Sequence, residues 1–239
     1  MGSVRVTGFE PASNGFQFAN SFPHSALKAF QLGSVATLDV GDAANGLCGG
    51  MSFTTADLHL AGLRPPPDTS PPAPDSNAYR YIVDRQIASF DEGRVPLRFY
   101  SLMEPGRPVR ESWLAGLLGM VGLDRHSRTW VMVHVEWPRI RKDLDEGRLS
   151  MLGLVRVVDT DPGKLGHNHQ VVAYGYDLVG SALRILIYDP NWPRDETVAI
   201  SLDLGDERGT TTPVWSKPDA ALHCFFRAPY APADPTVFR

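Results

Sequence analysis

After Asp145-Glu146-Gly147 the chain becomes a succession of short β-branched and aromatic runs separated by Gly, Asp, Pro and Asn. LGLVRVV (152–158), HQVVAYGY (169–176), LRILIYD (183–189), TVAISLD (197–203) and HCFFRA (223–228) each have the length and composition of a strand. The first half reads differently. Met51, Thr55, Leu58 and Ala61 recur at helical spacing, and Gly62 follows where a left-handed cap would end a helix over 49–61. Helices are also expected over 78–90, with Tyr81, Ile82, Ile87 and Phe90 inward, over 111–123, and over 137–146 after a strand-like WVMVHV at 130–135. Helices gathered before strands point to an α+β fold with an antiparallel sheet, not to alternating βαβ units.

A length of 239 residues suits one or two domains, and the expectation is a single domain over 1–239. Residues 1–35, rich in Gly, Ser, Phe and Asn, read as an N-terminal arm or covering segment to which no chemistry is assigned. Six prolines between Arg64 and Asp75 forbid a helix interior or central strand there, so 64–76 is expected to be a Pro-rich surface loop.

Composition excludes several classes. An apolar fraction of 43% is too high for a disordered chain. Twenty-three basic against 27 acidic residues leave a net charge of -4, which lacks the positive field that nucleic-acid binding needs. No window approaches 18 uninterrupted apolar residues, and the N-terminus has no apolar signal region. The expectation is therefore no membrane span, and residence in the cytoplasm or export by a route not using a Sec signal peptide. Two cysteines cannot staple a chain this long.

Three constellations carry chemistry. Cys48, in Asn45-Gly46-Leu47-Cys48-Gly49-Gly50, stands at the start of an expected helix, whose positive end lowers a thiol pKa; Gly49 and Gly50 would let a substrate backbone approach. A small buried hydrophobe beside a tight turn is the plainer alternative. His169 opens an apolar strand, a rigid place for a general base. His167, two residues earlier, would share its side of an extended strand, which makes a metal site with Asp159 or Asp161 a rival reading. Asp189 ends a strand in Tyr188-Asp189-Pro190-Asn191-Trp192, where it could orient the imidazole or simply open a turn.

In this order the three motifs resemble the papain-like cysteine peptidases, and more closely the bacterial branch related to bacteriocin-processing, double-glycine-leader peptidases. That superfamily places a cysteine at the start of a central helix, a histidine at the head of a strand reading His-x-Val-x-x-x-Gly-Tyr, and an Asn or Asp at the end of the next. The resemblance covers roughly 45–60 and 137–193. It implies Cys48 as nucleophile, His169 as base and Asp189 as orienter, in a cleft between a helical half and a sheet. Asn45 and Asn191 become oxyanion or orienting candidates, and Gly49, Gly50, His167 and Trp192 cleft candidates. It implies a peptide or protein substrate, no cofactor and no metal, and the bacterial relatives include processing peptidases and effector toxins. The chain departs from papain at Asp42, six residues before the cysteine, where papain has an oxyanion-lining glutamine; a carboxylate cannot donate there. Transglutaminase-like acyl transfer with the same triad and an inactive papain-like binding module are the alternatives. Met103, Met120, Met151 and Cys224 read as core residues, and Arg139 to Asp145 as a solvated helix face.

Overall fold

The sheet is organised around one long strand, β5 (His169–Val179). A computed structural model of the chain describes residues 2–24, 30–32, 36–38, 43, 46–105, 127–205, 211–217 and 221–239. The expected helix at 111–123, Met120, Asp42 and Asn45 lie outside the described residues. In chain order the elements are β1 (Gly2–Arg5), α1 (Pro11–Asn14), β2 (Phe30–Leu32), β3 (Ala36–Leu38), α2 (Cys48–Leu60), α3 (Asn77–Ala88) and α4 (Arg94–Met103). Then come α5 (Arg128–Val131), a π-helical turn (Met132–Glu136), α6 (Trp137–Asp145), β4 (Ser150–Val155), β5, β6 (Ala182–Tyr188), β7 (Ala199–Asp203), β8 (Val214–Trp215) and β9 (Cys224–Ala228). The architecture is α+β, with helices packed on a curled antiparallel sheet.

The main sheet runs β8-β7-β6-β5-β4-β9, and β1 joins β5 beyond the reach of β4. β4 pairs with the first half of β5, Leu154 opposite His169, and β1 pairs with the second, Arg5 opposite Gly175. At Gly175 the Val4 carbonyl would lie 2.5 Å from any Cβ, so only glycine lets β1 come this close. Curling brings the ring of Trp215, on β8 with β7 and β6 between it and β5, to 6.2 Å from the His169 ring.

α2 is the central helix. One side of it, with Phe53 and Ala56, joins the core that fills the sheet; another, with Met51 and Leu58, joins a second core built from Phe16, Phe18, Phe22, Tyr79 and Ile82. Burial all round is expected of a helix without a solvent face, and each large apolar side chain so buried contributes about 1.5–3 kcal/mol. The Pro-rich stretch 64–76 contains no helix or strand and is largely exposed.

WVMVHV at 130–135 is helical, not a strand. Ser127 caps it by accepting the Trp130 N–H at 3.1 Å, and Val131, Ile140 and Leu144 line a buried face, so helical packing overrides the β preference of the valines. The 139–145 face is not wholly solvated either. Asp143 is buried, with Arg148, Ser150 and Arg227 around its carboxylate. Met103 and Met151 are core residues, as is Cys224.

Candidate active site

Cys48 is the first residue of α2 and half-buried. The turn before it uses Gly46 at φ +95, a conformation that favours glycine. Leu47 is fully buried, and its N–H is accepted by Asn20 Oδ1 at 2.6 Å. The Cβ positions of Gly49 and Gly50 are taken up by neighbouring protein atoms. A Cβ at Gly49 would fall 2.3 Å from Ser89 Oγ, and one at Gly50 would fall 2.2 Å from the Ile82 carbonyl. The two glycines are needed so that α2 can pack closely on α3 and its C-terminal Ser89. The Gly50 N–H, which has no acceptor inside the helix, donates to Gln86 Oε1 at 2.7 Å.

His169 opens β5 and is 3% exposed. Its Nε2 lies 2.7 Å from Asp189 Oδ1, and the ring is close enough to the Cys48 thiol for each group to shift the other's titration. With Nε2 occupied, the contact to sulfur falls to Nδ1, so Nε2 carries a proton donated to the carboxylate. Asp189 follows β6 and is fully buried; its Oδ1 also accepts the Asn191 N–H at 2.9 Å. Asn191 thus holds the carboxylate through its backbone, while its side-chain oxygen accepts from Asn20 Nδ2 at 3.2 Å. Asp189, and not Asn191, takes the imidazole N–H.

The electrostatics of the pair oppose one another. Burial raises the Cys48 pKa, but the charge and hydrogen bond of His169, with N–H groups of Gln170 and Gly49, bring it below the ordinary thiol range. Burial lowers that of His169, but the Asp189 carboxylate and the Cys48 sulfur push it up to about 10. Both directions favour a thiolate beside an imidazolium. Cys224, in contrast, is a free buried thiol pushed up to about 12 by burial.

Other anticipated residues sit elsewhere. His167 does not lie on the strand with His169: Asp161 accepts the Gly163 N–H at 2.8 Å and starts a 3-10 turn, Pro162–His167, which leaves His167 exposed. Asp159 and Asp161 accept backbone N–H groups of that segment, and among the described residues no three His, Cys, Asp or Glu side chains are grouped to hold a metal. Trp192 is half-buried, with the Lys217 ammonium 4.8 Å from its ring centroid; Lys217 is also ion-paired with Asp195.

Asn20 was not anticipated. Its backbone N–H donates to the Pro190 carbonyl at 2.9 Å, and its side chain joins Leu47 to Asn191, so one residue of the N-terminal arm spans the start of α2 and the turn after Asp189. No local pattern marks it, because both partners are distant in sequence. The covering segment therefore acts as a tie between the two walls of the site.

Compared with protein-family models, curated proteins and solved structures, the chain matches none. Chemically, a thiol beside an imidazole that is held by a buried carboxylate can supply a nucleophile and a general base.

Proposed function

We propose that the protein is a papain-like, cysteine-dependent hydrolase of a peptide or amide bond. One observation carries this reading: His169 is hydrogen-bonded to the buried Asp189 and electrostatically paired with Cys48, with the thiol pKa moved down and the imidazole pKa moved up. In this mechanism the Cys48 thiolate attacks the substrate carbonyl carbon and a C–S bond forms. Negative charge moves to the carbonyl oxygen beside the Cys48 N–H, which at the start of α2 has no acceptor inside the helix. The His169 imidazolium gives its Nδ1 proton to the leaving amine as the C–N bond breaks. Neutral His169 then takes a proton from water, hydroxide attacks the thioester, and the thiolate and imidazolium are restored. Asp189 keeps the ring in one orientation by accepting its Nε2 proton.

The test is the pH dependence of Cys48 alkylation by iodoacetamide, mapped by mass spectrometry in wild type and His169→Ala. Reaction well below the ~8.5 of a free thiol, lost in the variant, is the expected result. An ordinary thiol titration in both proteins would leave the chain a binding module without an activated nucleophile. Hydrolysis of any peptide that persists in Cys48→Ala would overturn the mechanism.

A further inference from the structure

Beyond the His169 ring stands Trp215, 92% buried by its 8% exposure, and over the Trp215 ring lies the guanidinium of Arg156, 5.3 Å from its centroid. Arg156 is the first residue after β4, and its backbone N–H is held at 3.0 Å by the side chain of Asn168, the neighbour of His169. Its place relative to His169 is thus fixed through backbone as well as ring contacts. The guanidinium has no ion-pair partner among the described residues. Arg156 Nε is sealed from solvent without an acceptor among the described residues, and the indole Nε1 of Trp215 is in the same condition.

Buried donors without acceptors are rare and destabilising, and an arginine carries five N–H donors in a planar fork. Stacking on an indole holds the planar fork in one orientation, the geometry that suits a planar anion. Lys217, the other cation stacked on a tryptophan near the site, already has Asp195 as its anion. Among the described residues Arg156 has no such partner.

We infer that Arg156 and Trp215 form a carboxylate-recognising subsite, which selects substrates bearing an acidic side chain or a free C-terminal carboxylate near the bond attacked by Cys48. This rests on the proposed hydrolase reading of the same site. The steps of 6.2 Å from the His169 ring to the Trp215 ring and 5.3 Å from that ring to the guanidinium carbon span at most about three or four residues of extended peptide from His169, at roughly 3.3 Å per residue. A carboxylate there would accept from the guanidinium in the bidentate manner that makes such pairs strong.

The experiment measures second-order labelling of Cys48 by peptidyl vinyl sulfones that differ only in Glu against Gln at each of the four positions nearest the warhead. A second set differs only in a free C-terminal carboxylate against an amide. Because labelling needs no turnover, it reads recognition directly. In wild type the acidic probe at one position is expected to label roughly 10- to 100-fold faster, the worth of charge-assisted hydrogen bonds. In Arg156→Gln that ratio falls to near one, and Arg156→Lys keeps part of it. Which set shows the preference tells a side chain from a chain terminus. Equal labelling of acidic and neutral probes by the wild type, or an acid preference that survives in Arg156→Gln, overturns the subsite. Iodoacetamide labelling is run alongside: a low-pH thiolate reaction without acid preference removes the subsite alone, while an ordinary thiol titration removes the hydrolase reading instead.

Discussion

Asn20 Oδ1 accepts the N–H of Leu47 at 2.6 Å, immediately ahead of the Cys48 sulfur, although 27 residues separate the two. The Asn20 amide nitrogen simultaneously reaches Asn191, whose own N–H holds Asp189. Cys48 and the carboxylate that meets His169 are therefore referenced to one side chain.

Removing that side chain in Asn20→Ala leaves the Leu47 N–H without its acceptor, and a stability loss of about 1–3 kcal/mol is expected in urea denaturation. Asn20→Asp keeps the acceptor for Leu47 but faces Asn191 Oδ1 with a second acceptor. It should lose less stability, yet still shift the pH midpoint of Cys48 alkylation upward. An unchanged alkylation profile in both variants would reduce Asn20 to an ordinary loop residue.

Cys48→Ala and His169→Ala should both abolish turnover but differ in stability. The alanine at 48 removes a half-buried thiol, whereas the alanine at 169 leaves a fully buried carboxylate with the Asn191 N–H as its remaining partner at Oδ1. Breaking a buried pair in this way is expected to destabilise by about 3–5 kcal/mol. Circular dichroism with urea titration of the two variants measures the difference; equal stabilities would contradict the burial of Asp189.

Activity should follow a bell in pH. The acid limb reports Cys48, lowered from the ordinary thiol range, and rate is lost there as the thiolate takes up a proton. The alkaline limb reports His169, raised to about 10, and rate is lost as the imidazolium that protonates the leaving amine gives up its proton. The flat region lies between the two. A profile that rises only above the ordinary thiol range would show that the pair is not charged at neutral pH.

Gly50→Ala places a methyl 2.2 Å from the Ile82 carbonyl, a backbone atom that cannot swing aside. Overpacking of this kind typically costs about 1–3 kcal/mol. Thermal denaturation should therefore show a lower Tm for Gly50→Ala than for an alanine at Gly62, whose Cβ meets nothing within 4 Å although its φ of +67 carries a strain of its own.

Much of the layout was legible in the chain. Cys48 at a helix start, His169 at a strand start and Asp189 at a strand end each announce themselves by local pattern, since apolar periodicity and turn residues act over a few positions. The strand expected over 152–158 stops at Val155, where the chain leaves the ladder at Arg156. The valine-rich 130–135 segment was misleading because β preference is weaker than the packing of a face made by Val131, Ile140 and Leu144.

Short-range periodicity is enough to separate helices from strands, to give the α+β class and to place the three elements that present Cys48, His169 and Asp189. Tertiary structure alone decided what those side chains meet. Long-range packing turned Gly49 and Gly50 toward α3 and Ser89, set His167 in a separate turn, drew Asn20 between two walls, and brought Trp215 to His169 and Arg156 to Trp215. Such contacts join residues tens to hundreds of positions apart, and burial, not local preference, fixes which of them form.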